Sequence, residues 1–155
     1  MMKWKELPSD AKPADSTRIF SSFGILEAAE MILGTIQLPP VLLPWSAYKG
    51  MADHLSTDAG ELGGLLLGRT LPLPYATKHG YNHLTIIEKP VPSFEYANSG
   101  YSLEMGTEIW SRAAAEMKNG LQVVGWYHSH PDLGAFFSPR DRATQRAFFD
   151  HGYSL

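Results

Sequence analysis

The residues best suited to bind a metal or move a proton lie in His128-Ser129-His130-Pro131, which Ser138-Pro139-Arg140-Asp141 follows. The apolar run before this segment predicts a strand, and alternate residues of a strand share a face. His128 and His130 are therefore expected to project together and to share one ion. Asp141 comes eleven residues after His130, and a loop of that length can return the start of a helix to the strand end. Two imidazoles and a carboxylate leave a fourth tetrahedral position for water, as in catalytic zinc sites.

The same residues also have a purely structural interpretation. A His-x-His pair arises easily by chance in a chain with 6 histidines. Ser138, Pro139 and Asp141 together are typical of the first turn of a helix, with Ser as the N-cap. Both interpretations can hold, because a helix start capped by Ser138 can still present Asp141 to a metal. Ligand type favours zinc and leaves manganese, iron and cobalt open.

Composition restricts the classes of protein and of site. The chain has 155 residues, 44% of them hydrophobic, and a net charge of −3, which indicates one globular domain. It has no basic tract, so we expect no binding to nucleic acid or to a membrane surface. Cysteine is absent, which excludes thiol nucleophiles and leaves metal binding to His, Asp and Glu. No signal peptide and no apolar stretch of about 20 residues is visible, so a cytoplasmic location is expected.

The pattern of apolar residues predicts an α/β fold in which helices flank a mixed β-sheet. Residues 1–34 are polar and mixed in character, and we interpret them as a partly disordered N-terminal arm able to dock a partner protein. The predicted elements after the arm are a helix over 45–55, strands over 61–69, 83–91 and 121–130, a turn at 96–100, and helices over 103–117 and from 138 to about 150.

The spacing of five residues resembles the JAMM motif of the MPN-domain metalloproteases, zinc isopeptidases that remove ubiquitin and ubiquitin-like proteins from conjugates. His-Ser-His-Pro, then Ser138 after seven residues and Asp141 after two more, follow the family pattern. Upstream, Glu61-Leu62-Gly63-Gly64-Leu65-Leu66-Leu67-Gly68 resembles the remaining element, a Glu at the start of a Gly-rich strand. The resemblance implies an MPN (JAMM) domain over 35–155 with a cytidine-deaminase-like architecture and one Zn²⁺ per chain.

The resemblance also assigns roles to these residues. His128, His130 and Asp141 would bind zinc, and Glu61 would be the general base that takes a proton from the zinc-activated water. Ser138 would donate to the developing oxyanion. The reaction implied is hydrolysis of the peptide or isopeptide bond after the C-terminal tail of ubiquitin or a ubiquitin-like protein. Without the resemblance, Glu61 is one acid among several, and a solvated charge at a strand end is its commoner role.

Other interpretations stay open at this point. The same zinc chemistry could act on a sulfur-carrier adduct or a cell-wall peptide, and a non-catalytic MPN scaffold is a third possibility. The substrate-binding residues are not assigned. Phe136 and Phe137 either hold a substrate tail or anchor their own loop, and Gly63 and Gly64 either allow tight strand packing or admit a substrate backbone.

Two further expectations concern the rest of the chain. The four histidines outside the pair have no metal-ligand spacing and are expected at the surface or at helix ends; they are His54, His79, His83 and His151. The family domain normally continues with another strand and a helix, so the chain is expected to be C-terminally incomplete or completed by a partner.

Overall fold

The computed structural model describes residues 41–72, 83–99, 102–117 and 120–149. Its elements in chain order are β1 (Val41–Leu42), α1 (Trp45–Leu55), β2 (Gly63–Pro72), β3 (His83–Pro92), β4 (Tyr96–Ser99), β5 (Ser102–Met105), α2 (Glu108–Met117), β6 (Gln122–His128) and α3 (Pro139–Phe148). The arm predicted over 1–34 lies outside the described residues, as do His79 and His151. Among the described helices, none has the length and apolar character needed to cross a bilayer.

Four strands form one mixed sheet in the order β1-β3-β2-β6. β1 runs parallel to β3, whereas β2 pairs antiparallel with β3 on one side and with β6 on the other. Because β2 is central and buried on both faces, its sequence is an almost unbroken apolar run rather than an alternating one. The α/β class with a mixed sheet flanked by helices is thereby confirmed.

Side chains of β2 and β6 alternate between two apolar layers, one on each face of the sheet. On one face, Leu66 and Tyr127 pack in a cluster with Ala47 of α1. On the other face, Leu65 and Trp126 pack in a cluster that includes residues of α2 and Phe149, which follows α3. His128 lies two residues after Trp126, so it shares the face covered by α2 and α3.

Helix α3 begins where the sequence predicted. Ser138 is the N-cap, Pro139 is the first helical residue, and the Ser138 hydroxyl accepts a hydrogen bond from the backbone N–H of Asp141. The Asp141 carboxylate in turn accepts from the backbone N–H of Ser138 at 2.7 Å. This reciprocal capping box satisfies two backbone donors and confirms the predicted helix start.

The segment before α2 corrects the sequence prediction. The predicted turn at 96–100 and the predicted start of a helix at Leu103 are wrong, because β4 and β5 form an antiparallel two-stranded sheet. The helix begins only at Glu108. One Oε of Glu108 accepts hydrogen bonds from the Ser93 hydroxyl and from the backbone N–H groups of Phe94 and Glu95, which joins α2 to the segment entering β4. Tertiary contacts thus override the helical pattern of the local sequence.

Candidate metal centre

Three side chains from β6, its end and α3 converge on one point. The Nε2 atoms of His128 and His130 are 2.9 Å apart, and each lies 3.4 Å from Oδ2 of Asp141. β6 ends at His128, so His130 follows the strand rather than lying within it as predicted. The two rings nevertheless meet, and the loop returns α3 so that Asp141 completes the group.

The spacing of these ligand atoms fits a tetrahedral metal site. Bonds of about 2.0–2.1 Å in a tetrahedral zinc site place ligand atoms about 3.3 Å apart. The observed separations of 2.9 and 3.4 Å lie within about half an ångström of that value. One oxygen and two imidazole nitrogens form a donor set that suits zinc and related divalent ions. The residues present therefore fit a metal ion.

Electrostatics keep two ligands in the protonation state that binds a cation. Burial lowers the pKa of His128. The charge of Asp141 opposes this effect, but the pKa still lies below the usual histidine value. For Asp141, burial acts to raise the pKa, but hydrogen bonds from Ser138 and the neighbouring imidazoles together bring it below its usual value. At neutral pH His128 is therefore neutral and Asp141 is ionised, as metal binding requires.

Glu61 lies beside the three ligands and is buried two residues before β2, which begins at Gly63 and not at 61 as predicted. Its Oε1 is 4.0 Å from Nε2 of His130. A backbone clamp sets this approach: Ser129 donates its N–H to the carbonyl of Leu62, and its hydroxyl accepts from the Leu62 N–H. The sequence analysis did not predict that Ser129 joins β6 to the residue after Glu61. Its position between the two histidines was the one signal that could have indicated this role.

Gly63 lets this arrangement close. A Cβ at Gly63 would lie 2.6 Å from Cδ2 of Leu103, 2.8 Å from the carbonyl oxygen of Tyr127 and 3.2 Å from Cβ of His128. Any side chain here would push β5 or β6 away from β2. Of the two roles that the sequence left open for Gly63, the structure therefore favours tight strand packing over admission of a substrate backbone, since protein atoms already fill the space beside it.

A cavity of about 400 Å³ adjoins the ligand group. Its floor is apolar and comes from β5, α2 and the end of α3, with Leu103, Met105 and Trp110 among the lining residues. A salt bridge of 2.6 Å between Arg140 and Glu104 lies at its edge and joins α3 to β5. Sequence reasoning did not predict this wall, because it placed 103–105 in a helix.

Loop 131–137 places two phenylalanine rings at the site. The Phe136 ring centroid is 4.5 Å from that of His130, and the Phe137 ring lies parallel to His128 at 6.2 Å. Both side chains are about half exposed, at 51% and 47%. Each ring therefore has one side against a candidate ligand and one side open, so the structure is compatible with both predicted roles.

His54 corrects another prediction. It was expected at the surface or as a cap, but it is buried, with Nδ1 3.0 Å from the hydroxyl of Tyr127. Burial lowers its pKa, and the charge of Arg112 adds to that effect. Sequence spacing could not reveal this contact, because the partners are 73 residues apart.

Residues 46–150 match a family model described as prokaryotic homologs of the JAB domain. The match covers more than half of the chain. The chain belongs to the prokaryotic JAB-domain family. The matched region of this JAB domain contains Glu61, Ser138 and the three candidate ligands, and the membership confirms the resemblance to the JAMM/MPN group.

Curated relatives match the JAB domain over part of their own length. The NAD(+) hydrolase TcpA of a Theionarchaea archaeon is 42% identical over 98 residues, which cover 63% of this chain and 26% of that protein. The ubiquitin carboxyl-terminal hydrolase RPN11 of Saccharomyces cerevisiae is 28% identical over 92 residues, 57% of this chain and 27% of that protein. The proteasome regulatory subunit RPN11 of Eremothecium gossypii is 29% identical over 92 residues. The matches thus span about a quarter of the length of these relatives.

A solved structure supports the fold of this JAB domain. Protein DSY2949 from Desulfitobacterium hafniense, known from a solution structure, superposes with a TM-score of 0.50 and 24% identity. The superposition covers 71% of this chain and 68% of that chain. At this identity the likeness concerns the fold alone.

Proposed function

We propose that this chain is a zinc-dependent metallopeptidase that hydrolyses the peptide or isopeptide bond after the C-terminal tail of ubiquitin or a ubiquitin-like protein. The observation that carries the proposal is the convergence of His128, His130 and Asp141 beside the buried carboxylate of Glu61. The similarity to RPN11, which is named as a ubiquitin carboxyl-terminal hydrolase, supports the substrate class.

One Zn²⁺ per chain would be held by His128, His130 and Asp141. When bound, zinc supplies Lewis acidity, which polarises the scissile carbonyl and makes water more acidic near neutral pH. The neutral imidazole of His128 and the ionised carboxylate of Asp141 are the forms that bind it. The cavity that adjoins these three residues leaves room for water and substrate beside them.

Glu61 is the proposed general base. Its carboxylate accepts a proton from the attacking water as the new C–O bond forms, and it returns that proton to the leaving amine as the C–N bond breaks. The side chain is 6% exposed, so the proton passes between groups that bulk water does not separate. The Ser129–Leu62 clamp holds the carboxylate near His130, which is what a short proton transfer requires.

Ser138 is the proposed oxyanion donor. Its oxygen accepts the capping bond from the backbone N–H of Asp141. Its hydroxyl hydrogen, which in this structure bonds the Asp141 carboxylate, can turn to a substrate oxygen without breaking that capping bond. The side chain lines the same cavity as Glu61 and the ligands. It is therefore placed to donate to the oxygen that gains charge when the carbonyl is attacked.

The test is a cleavage assay on ubiquitin and ubiquitin-like proteins that carry C-terminal extensions. Wild-type protein, the Glu61→Gln variant and chelator-treated protein are compared side by side. We expect the wild type to cleave after the terminal glycine. Glu61→Gln should keep its metal and lose about 10²–10⁴-fold in turnover, the usual contribution of a general base. Full activity in Glu61→Gln, or in metal-free protein, would contradict the mechanism.

A second substrate deserves a place in the panel because of one comparison. The archaeal relative TcpA is named as an NAD(+) hydrolase, so NAD⁺ is added and its hydrolysis is followed. Sulfur-carrier adducts and cell-wall peptides complete the panel as alternatives for the same chemistry. A protein that binds no zinc and cleaves none of these would favour the scaffold interpretation. Docking of a partner through residues 1–34 and a cytoplasmic location are proposed on sequence grounds alone.

A further inference from the structure

The candidate ligand His128 lies flat against Trp126. The ring centroids are 4.5 Å apart and the planes differ by 5°, which is a stacked contact along one face of β6. The indole is itself fixed on its far edge, because its Nε1–H donates to Oε1 of Gln145 on α3 at 2.7 Å. Gln145 in turn donates from Nε2 to the carbonyl of Phe149. A continuous set of contacts therefore runs from α3 to the ring of His128.

Neighbouring rings reinforce the orientation of the indole. Phe149 and Phe137 lie nearly parallel to Trp126, with centroid separations of 6.2 and 6.0 Å. Trp126 is 9% exposed, so the indole has little room to turn. A stack of this kind holds a histidine ring at one angle about its side-chain torsions, which decides where Nε2 points.

Metal-binding histidines usually take their orientation from a hydrogen bond at the other ring nitrogen. For His128, the hydrogen bond and ion pair found among the described residues are both at Nε2. No hydrogen bond to Nδ1 is found in that part of the chain. Two stacked rings do contact the imidazole, and the indole at 4.5 Å lies nearer than Phe137 at 6.2 Å.

We propose that Trp126 and Gln145 are positioning residues for the metal site. Trp126 provides the surface that orients the His128 imidazole, and Gln145 fixes the rotation of the indole. This inference rests on the proposed function, since it assumes that His128 is a metal ligand. It extends the site to a side chain on α3 that is not among the residues lining the cavity beside the ligands.

The test measures zinc affinity of the full chain by competition with a chromophoric chelator, together with the visible absorption of Co²⁺-loaded protein. Trp126→Leu removes the stack, and Gln145→Met removes the hydrogen bond while leaving the indole in place. Gln145→Glu keeps an acceptor for the indole N–H. Trp110→Leu is the matched control, because Trp110 stacks on Phe149 at 6.4 Å and belongs to the same aromatic group without contacting His128.

We expect Trp126→Leu to weaken zinc binding about 10–100-fold, the range typical of outer-shell residues at metal sites. Gln145→Met should weaken zinc binding less than Trp126→Leu does, and it should alter the absorption spectrum of the Co²⁺-loaded protein. Gln145→Glu should restore both the zinc affinity and the spectrum. Trp110→Leu should bind zinc like the wild type, even where its thermal stability falls. If Trp126→Leu fails to fold, the two Gln145 variants decide the question.

Two results would overturn the inference, and they differ from failure of the proposed function. Equal zinc affinity in the wild type and in both Trp126→Leu and Gln145→Met would show that the stack does not position His128. Equal losses in Trp126→Leu and Trp110→Leu would assign the effect to general core stability. A wild-type protein that binds no zinc would instead refute the metal site itself.

Discussion

Ser138 has two separable tasks in the proposed site, and two substitutions at this one position can distinguish them. Its oxygen caps α3 through a 3.2 Å bond from the N–H of Asp141, and its hydroxyl hydrogen is the proposed oxyanion donor. Ala removes both the cap and the hydroxyl. Gly also removes the hydroxyl, but it is tolerated at the N-cap, where it leaves backbone donors open to water.

The expected magnitudes follow from these contacts. Ser138→Ala should cost about 1 kcal/mol of unfolding free energy, and Ser138→Gly a few tenths of that. For a chain of this length, about 1 kcal/mol corresponds to a fall in Tm of about 3 °C. The bond from the Ser138 N–H to Asp141 stays in both variants, which limits the loss. Turnover should fall about 10²–10³-fold in both variants, because both lack the donor.

The assay combines thermal unfolding of the metal-free protein with kcat and KM on a substrate that the panel shows to be cleaved. Ser138→Thr, which keeps the hydroxyl, serves as the control for turnover. Stability should follow the cap, and turnover should follow the hydroxyl. Wild-type turnover in Ser138→Gly would refute the oxyanion role and leave Ser138 as a helix cap only. Unchanged Tm in Ser138→Ala would refute the stated energy of the cap.

Three other perturbations test separate parts of the structure. Asp141→Asn keeps an acceptor for the helix cap but loses the charge. Zinc affinity, measured by chelator competition, should therefore fall by more than the roughly 10–100-fold loss seen when a residue supporting a ligand is changed. Wild-type affinity would show that Asp141 is not a ligand. Burial lowers the pKa of His54 below its ordinary 6.5, so the contribution of His54 to the free energy of unfolding is complete above that pH and is lost as the pH falls through the folded-state pKa. Urea unfolding at a series of pH values should show this loss of stability. An equally steep pH dependence in His54→Gln would contradict the prediction. Gly63→Ala places a Cβ 2.6 Å from Cδ2 of Leu103, so it should cost about 1–3 kcal/mol of unfolding free energy and also weaken zinc binding. Wild-type stability together with wild-type zinc affinity would show that β5 can move away without cost.

The sequence predicted the parts of the fold that depend on neighbours along the chain. The helix Trp45–Leu55 follows from apolar residues at helical spacing, and the start of α3 follows from Ser138, Pro139 and Asp141 at fixed offsets. These features are local because capping and periodicity join residues within one or two turns. The grouping of the candidate metal ligands also follows from the sequence, since two histidines and an aspartate within one short segment can meet through a single loop.

The segment 96–105 shows where local pattern fails. Residues 103–105 lie at the predicted start of a helix and are good helix formers, yet they belong to β5, which pairs with β4. Tyr96 pairs with Met105, and Glu108 accepts a hydrogen bond from the backbone N–H of Glu95. Together these contacts outweigh helix propensities, which differ among residue types by only a few tenths of a kcal/mol per residue.

Composition and the pattern of apolar residues are enough to indicate the α/β class, to exclude thiol chemistry and to provide the residue types able to bind a metal. Two contacts of the site depend on the tertiary structure. Glu61, just before β2, lies 4.0 Å from His130, just after the neighbouring β6, and Gln145 on α3 reaches the indole behind His128. The reason is that such contacts join residues far apart in the chain. Their distances depend on strand register and on how helices pack against the sheet, which no single segment encodes.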